Sequence, residues 1–480
     1  MGLGLHIRAD LPRYKLFGKV VTSTELFAPL SDAFRELLPG QLQKVVFAAA
    51  TCESQLSLQL HPCEKPIELE IENNSLICSA TTNSAGPGYH AFLVEALESI
   101  GARLGLSWQW DDQDDEYGDH TGYHDHRNFA LLQDKMLLWL RTLVRTFTEN
   151  ERSERLRISI PEDYSIAGEY DAASALGFWD RDWLEELAGS EIEQIREQGR
   201  AFFPWWEKGF GAEFWYKCGL AKAWVELPWH TFTNLVEERD FNFVIACFNK
   251  ALALEPSIVL PENEIREIEK YLDPNKLGPS PHAGGIGYRR GLMERKLTGC
   301  WTVELPGYYY DEIEDEGSTA VYYFGGRVIR GSSFSTDGGE GKPVDPKSLL
   351  EEKPKDCPVF ELEHDNLEGW AEIRKISLEG RDYWILNGKT AAANNVCHVT
   401  ISFITESDMD WAIQTWRSIA RPRLRSGRNG TSPRELFPTD QRVSREEPPS
   451  PSEPGYPGYR CSVAADTGQA DNQRCPARWS

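Results

Sequence analysis

The stretch Asp111–His126, DDQDDEYGDHTGYHDH, holds seven Asp or Glu side chains and three of the chain's ten histidines. Within it, His120 and His124, with Asp119 and Asp125, offer imidazole nitrogen and carboxylate oxygen close together. That is the donor set a divalent ion such as zinc takes. A carboxylate beside a metal-bound His can also orient its ring. The spacing His-x-x-x-His-x-His belongs to no named catalytic signature, and Glu116 stands where an EF-hand needs Gly. The same residues also suit a solvated loop leading into a helix that starts near Asn128. A divalent metal is therefore the cofactor this stretch would call for, with His120, His124, Asp119 and Asp125 as its ligands.

A second candidate is Ser84-Ala-Gly-Pro-Gly-Tyr-His90. It opens a helical pattern, and the free N–H groups of a helix start attract anions. Gly86 and Gly88 leave room for a ligand, and His90 can donate a proton. Gly and Pro are also ordinary helix-boundary residues. The Gly-rich stretch Gly284–Gly291 carries Arg289 and Arg290 but no Lys after its glycines, so it fails the phosphate-loop pattern. Its two arginines suit pairing with carboxylates of the same chain. Residues 202–232 are dense in aromatics, and Trp205, Trp206, Trp215 and Trp229 are of the type that anchors protein interfaces. Buried, the same side chains would pack a helical core. The chain contains no G-x-S-x-G elbow, no H-E-x-x-H and no kinase signature set.

The elements that must position these residues are legible from periodicity. The fold class is α+β: antiparallel sheets with packed helices, a helical middle region and a disordered C-terminal tail. In residues 1–150, an α+β domain, Lys44–Ala50 and Gln55–His61 read as strands. Pro66–Glu72 and Ser75–Thr81 flank Asn73-Asn74 as a hairpin. Apolar residues at 3–4 spacing from Tyr89 to Leu104 and from Phe129 to Phe147 predict two helices. Residues 151–290 read as mainly helical and aromatic-rich. Residues 291–420 read as an antiparallel β region closed by a helix. Thr319–Phe324 pairs with Arg327–Ser332, Ala371–Leu378 with Arg381–Leu386, and Val396–Ile404 adds a further strand. From 421 to 480 there are ten Arg, nine Pro and no Lys, a composition that predicts disorder.

Charge narrows the class of partner. The 480 residues carry 75 acidic against 51 basic side chains, a net charge of −24. That excess repels nucleic acids and anionic membranes and favours a basic protein partner. No apolar run approaches the length that spans a bilayer. The opening residues lack a signal-peptide pattern, and the ten cysteines form no C-x-x-C pair. These features point to the cytoplasm. Two functions follow. One is a non-catalytic acidic interaction protein that neutralises a basic partner, as an antidote or immunity protein does. The other is a metal-dependent enzyme centred on Asp119–His126. Convergence of His90 with residues 119–126 inside a cleft would favour the enzyme.

Overall fold

The computed structural model describes residues 2–420 apart from 12–14, 17–18, 21–22, 53, 111–116, 150–154, 162–163, 167–169, 274, 277–284, 315–316, 337–343, 351, 365–366 and 379–380. It shows an α+β fold in which two antiparallel sheets of seven strands each are packed by helices. The expected disorder of residues 421–480 lies outside the described residues.

The first sheet grows around the strand Gly4–Asp10, whose Leu5, Ile7 and Ala9 are buried while His6 and Arg8 are half-buried and Asp10 is exposed. That period of two puts one face on the core and the other toward solvent. This strand pairs antiparallel with Ser75–Thr81, which pairs with Ile67–Glu72 and so outward to Gln55–Gln59 and Ala48–Thr51. Asn73 and Asn74 both have positive φ, as a two-residue hairpin turn requires. On the other edge, Trp108–Gln109 and Gly118–Asp119 both pair with Gly4–Asp10, setting Leu5 opposite Asp119.

Helices cover the buried face. Ser23–Leu37 supplies Phe27, Leu30, Ala33 and Phe34 at 3–4 spacing. Pro87–Leu104 buries Tyr89, His90, Leu93, Val94, Leu97 and Ile100, and ends at Gly105 in the left-handed conformation. Phe129–Glu149 buries Leu132, Met136, Leu137, Leu140 and Val144. The predicted strand at Lys44–Ala50 is corrected: Gly40–Val45 is a short helix, and the strand begins at Ala48. Pro39 precedes that helix, and its carbonyl and that of Leu42 accept from Gln43 N (3.0 Å) and Val46 N (2.9 Å). Lys44 and Val45 are therefore consumed by a helical turn.

The middle region carries the helices Arg181–Gly189, Arg196–Phe202, Ala212–Val225, Leu235–Leu254 and Glu262–Leu272. It opens with a small three-stranded sheet of Leu156–Arg157, Ala172–Ser174 and Gly177–Trp179, whose first pair is parallel. One continuous core joins Leu5 through Ala251, so the sheet and helices of the first region share their interior with the helices of the second. A separate core lies within residues 297–419. Its sheet runs Tyr310–Glu314, Thr319–Phe324, Arg327–Ser335, Asn395–Phe403, Arg381–Ala392, Leu367–Leu378 and Val359–His364 in spatial order. The helix Met409–Arg417 lays Ala412, Ile413 and Trp416 against it.

Candidate functional site

His90 and the 119–126 segment do meet. The first turn of Pro87–Leu104 points His90 into the space beneath the sheet edge where Gly118–Asp119 pairs with Gly4–Asp10. His90 Nε2 lies 3.0 Å from Asp119 Oδ1 and 2.9 Å from Thr121 Oγ1, and its Nδ1 lies 2.8 Å from Thr82 Oγ1. The Asp119 carboxylate also accepts from Thr121 N and Oγ1, both at 2.7 Å, and from His124 N at 2.8 Å. Burial alone would raise the Asp119 carboxyl. The hydrogen bond and charge of His90, with the His124 N–H and the Thr121 hydroxyl, outweigh it and hold the group well below the usual carboxylate range. His90 and Thr82 are wholly buried and the Asp119 side chain is 3% exposed. The two ring nitrogens and both carboxylate oxygens are engaged, and both side chains are shut away from solvent. It fastens the 118–124 segment to the sheet and the helix.

Beside the anion site expected at Gly86, Gly88 and His90, the N–H groups that precede the helix are taken by a carboxylate of the chain itself. Glu64 Oε2 accepts from the N–H groups of Ser84 and Ala85, each at 2.9 Å, and Oε1 from Thr81 Oγ1 at 2.8 Å. Burial pushes the Glu64 carboxyl up, and hydrogen bonds from Ala85, Thr81, Ser84 and Lys65 only partly offset it. The glycines allow close packing against Trp205, Glu207 and Phe203. A Cβ on Gly88 would sit 2.2 Å from Trp205 Cδ1 and 2.4 Å from the Glu207 carbonyl oxygen. One on Gly86, whose φ is +110°, would sit 2.7 Å from Phe203 Cβ. The Gly88 N–H donates to the Trp205 carbonyl at 2.8 Å.

The four metal-ligand candidates do not gather at one point. Asp119 is committed as above. His120 is exposed, with its N–H on the Gly4 carbonyl at 3.2 Å. His124 stacks on Trp110, centroids 4.2 Å apart, with Nδ1 2.9 Å from Asp125 and Nε2 3.4 Å from Glu98. Among the described residues, no three His, Cys, Asp or Glu side chains are placed to hold a metal ion. The acidic run Asp111–Glu116 lies outside the described residues.

The interface reading of the tryptophans is corrected. Trp205, Trp206, Trp215 and Trp229 are 0, 4, 1 and 5% exposed. Trp205 sits among Phe92, Phe210 and Phe214, with centroids 5.3, 5.1 and 4.5 Å away, and its Nε1 donates to the Gly209 carbonyl at 3.0 Å. Trp229 donates to the Ala223 carbonyl at 3.0 Å, and the Arg290 guanidinium lies 3.5 Å above its ring. Rings whose polar edges are satisfied inside the chain are core side chains. Arg290 in turn pairs at 2.8 Å with the fully buried Glu267, not with a carboxylate-rich surface, and Arg289 donates to the carbonyls of Gly307 and Glu226.

Two features escaped the sequence reading. Glu237 accepts from Thr233 N (2.8 Å) and from Tyr310 Oη, bridging the start of Leu235–Leu254 to the strand Tyr310–Glu314. An open cleft of about 590 Å³ is lined by Arg155, Tyr170, Asp171, Phe178, Trp179 and Asp180. Its only sequence signal is the closeness of Tyr170, Phe178 and Trp179, which nothing sets apart from the other aromatics of this region.

No family model matches the chain, and no curated protein matches it either. A solved structure from Bacteroides thetaiotaomicron VPI-5482 shares 14% identity, covers 25% of this chain and 45% of its own, and superposes with a TM-score of 0.21. The matched part is thus less than half of that chain, and a score of this size carries no argument about fold or function. Among the described residues no helix is long and apolar enough to cross a membrane.

Proposed function

We propose that the chain is a non-catalytic acidic protein of the cytoplasm that holds and neutralises a basic protein partner. The observation that carries this reading is the excess of acidic side chains, 75 against 51 basic. The outward face of the first sheet gives that excess a surface. Glu68, Glu70 and Glu72 alternate on Ile67–Glu72, and the register aligns Glu72 with Ser75 and Asp10 two strands away. Glu70, Glu72 and Asp10 are exposed, with Arg8 as the basic neighbour in the row of Glu70. Such a face accelerates encounter with a cationic protein. The internal engagement of Glu64, His90 and Asp119 supports a structural use for the groups that would otherwise be candidates for chemistry. The eight described cysteines are all free thiols, which suits a reducing compartment.

The test is the association rate with a basic probe protein, cytochrome c, across salt. The Debye length shrinks from about 10 Å at 0.1 M to about 3 Å at 1 M, so the rate should fall steeply over that range. Reversing Asp10, Glu70 and Glu72 to Lys should slow association at low salt about tenfold. A flat salt response, or an unchanged rate in the triple variant, would refute the assignment to this face.

A further inference from the structure

The cleft beside the small middle sheet is built by strand register. Leu156 pairs in parallel with Ala172, and Ala172 pairs antiparallel with Trp179. One step beyond those pairs, Arg155, Asp171 and Asp180 fall side by side at the same end of three strands. Tyr170, Phe178 and Trp179 complete the lining. Phe178 is 45% exposed yet clamped: its ring lies 5.0 Å from Tyr170, 5.1 Å from Tyr288 and 5.7 Å from Trp224, the last two edge-on. Gly177, at φ +129°, lets the strand run close over Trp224, where a Cβ would come within 3.1 Å. Trp179 is fixed by its Nε1 bond to Ser174 Oγ at 2.9 Å and by stacking on Trp183 at 4.3 Å. Phe178 and Trp179 are therefore held in place by contacts within the chain, and a side chain placed in advance lowers the entropy cost of binding.

The polar groups are of both signs. The Arg155 guanidinium lies over Tyr170 at 4.5 Å and donates to the Ile166 carbonyl at 3.2 Å, leaving other N–H donors available. Asp180 Oδ1 caps the helix Arg181–Gly189 by accepting from Trp183 N at 2.9 Å, which leaves Oδ2. Asp171 has no side-chain hydrogen bond or ion pair among the described residues. One cation and two carboxylates give the lining a formal charge of only −1, in a volume within the range of small-ligand sites. An anion gains little there against two carboxylates, and a polycation gains little against the arginine. A neutral ring with an apolar C–H face and a rim of hydroxyls matches every feature. Its face would lie on Phe178, and its hydroxyls would donate to Asp171 and Asp180 and accept from Arg155.

We infer that this cleft binds a neutral carbohydrate, a function separate from the charge-driven partner face proposed above. The probes are four neutral trisaccharides (maltotriose, cellotriose, mannotriose and N-acetylchitotriose), followed by calorimetry and tryptophan fluorescence on the full chain. At least one should bind with a Kd in the millimolar range or below, and the affinity should not change between 0.1 and 1 M salt. Phe178→Ala should weaken it about tenfold or more. Asp171→Asn keeps the side-chain shape and should weaken it several-fold while the melting temperature stays at the parent value, so its loss cannot be assigned to unfolding. Failure of all four sugars at ~10 mM, or binding that survives both substitutions, would overturn the inference. Binding that fades with salt would also overturn it, since charge rather than ring and hydroxyl contacts would then govern the site. Neither result bears on the cytochrome c assay, whose variants lie on the first sheet.

Discussion

Replacing Glu64 with Ala tests whether the start of Pro87–Leu104 is an internal joint or a vacant anion site. The substitution removes the acceptor for Ser84 N, Ala85 N, Lys65 N and Thr81 Oγ1. Thr81 and Lys65 are exposed, so the Thr81 hydroxyl and the Lys65 N–H can turn to water, and the Ser84 and Ala85 N–H groups are the ones that lose their partner outright. A buried donor left unpaired costs about 1–3 kcal/mol. Two of them amount to roughly 2–6 kcal/mol, reduced because Ser84 is only half-buried and because burial already raises the Glu64 carboxyl, whose charge is disfavoured. Urea unfolding at pH 7 should therefore show a loss of about 2–3 kcal/mol. Acetate should restore part of it by entering the vacated hole, and the parent should show no such rescue. Glu64→Gln, with one carbonyl oxygen, should fall between. If Glu64→Ala is as stable as the parent, the carboxylate is not what satisfies these N–H groups and the internal-anion account fails.

Gly88→Ala should destabilise by about 1–3 kcal/mol, because the added Cβ meets the Trp205 ring and the Glu207 carbonyl; a thermal melt checks it. For Glu237, burial alone would raise the carboxyl, but hydrogen bonds from His230, Tyr310 and Thr233 bring it down to about 2. A depressed carboxyl contributes stability that is present above its unfolded value near 4.3 and lost as pH falls from there toward about 2. Urea midpoints between pH 5 and pH 2 should therefore fall less steeply in Glu237→Gln than in the parent. Tyr310→Phe removes the phenol that donates to Glu237 and should cost about 1–2 kcal/mol. Asp119 is also held low, so Asp119→Asn should flatten the acid limb in the same direction; a limb as steep as the parent's would remove Asp119 from the account.

Periodicity carried the fold reading wherever one face of an element is apolar. The Ser75–Thr81 hairpin partner, the Pro87–Leu104 and Phe129–Glu149 helices and the antiparallel strands after Thr319 all show it. Val45, Phe47 and Ala48 are equally apolar on both sides of a short helix-to-strand switch, so the pattern there has no period to read. The two-residue and three-residue strands near 156–179 are too short for periodicity, which is why the cleft they form stayed hidden. The candidate site failed differently. Residue types near His90 and Asp119 were the right ones to notice, and the two side chains do meet. Whether a polar cluster is open or shut depends on what packs over it from distant sequence, and Thr82, Tyr123 and the sheet edge close this one.

The use of carboxylates inside this acidic chain follows one pattern. Glu64 gathers donors from the turn before Pro87–Leu104 to the segment that follows the Gln55–Gln59 strand. Asp119 ties the sheet edge to the same helix through His90. Glu237 ties the start of Leu235–Leu254 to Tyr310 of the second sheet, and Glu267 ties Glu262–Leu272 to Arg290 and, through Tyr271, packs beside Trp229. Each sits where two elements meet that no ladder of backbone bonds joins. A carboxylate suits that task because its two oxygens accept up to about four hydrogen bonds from different directions. Breaking one such joint leaves several donors unpaired at once, so these junctions specify the packing more sharply than apolar contacts of the same area. Acidic groups committed in this way cannot also attract a partner. The charge available for recognition is that of the exposed acids, such as Asp10, Glu70 and Glu72, and it is on those positions that reversal of charge should be felt in binding while stability stays unchanged.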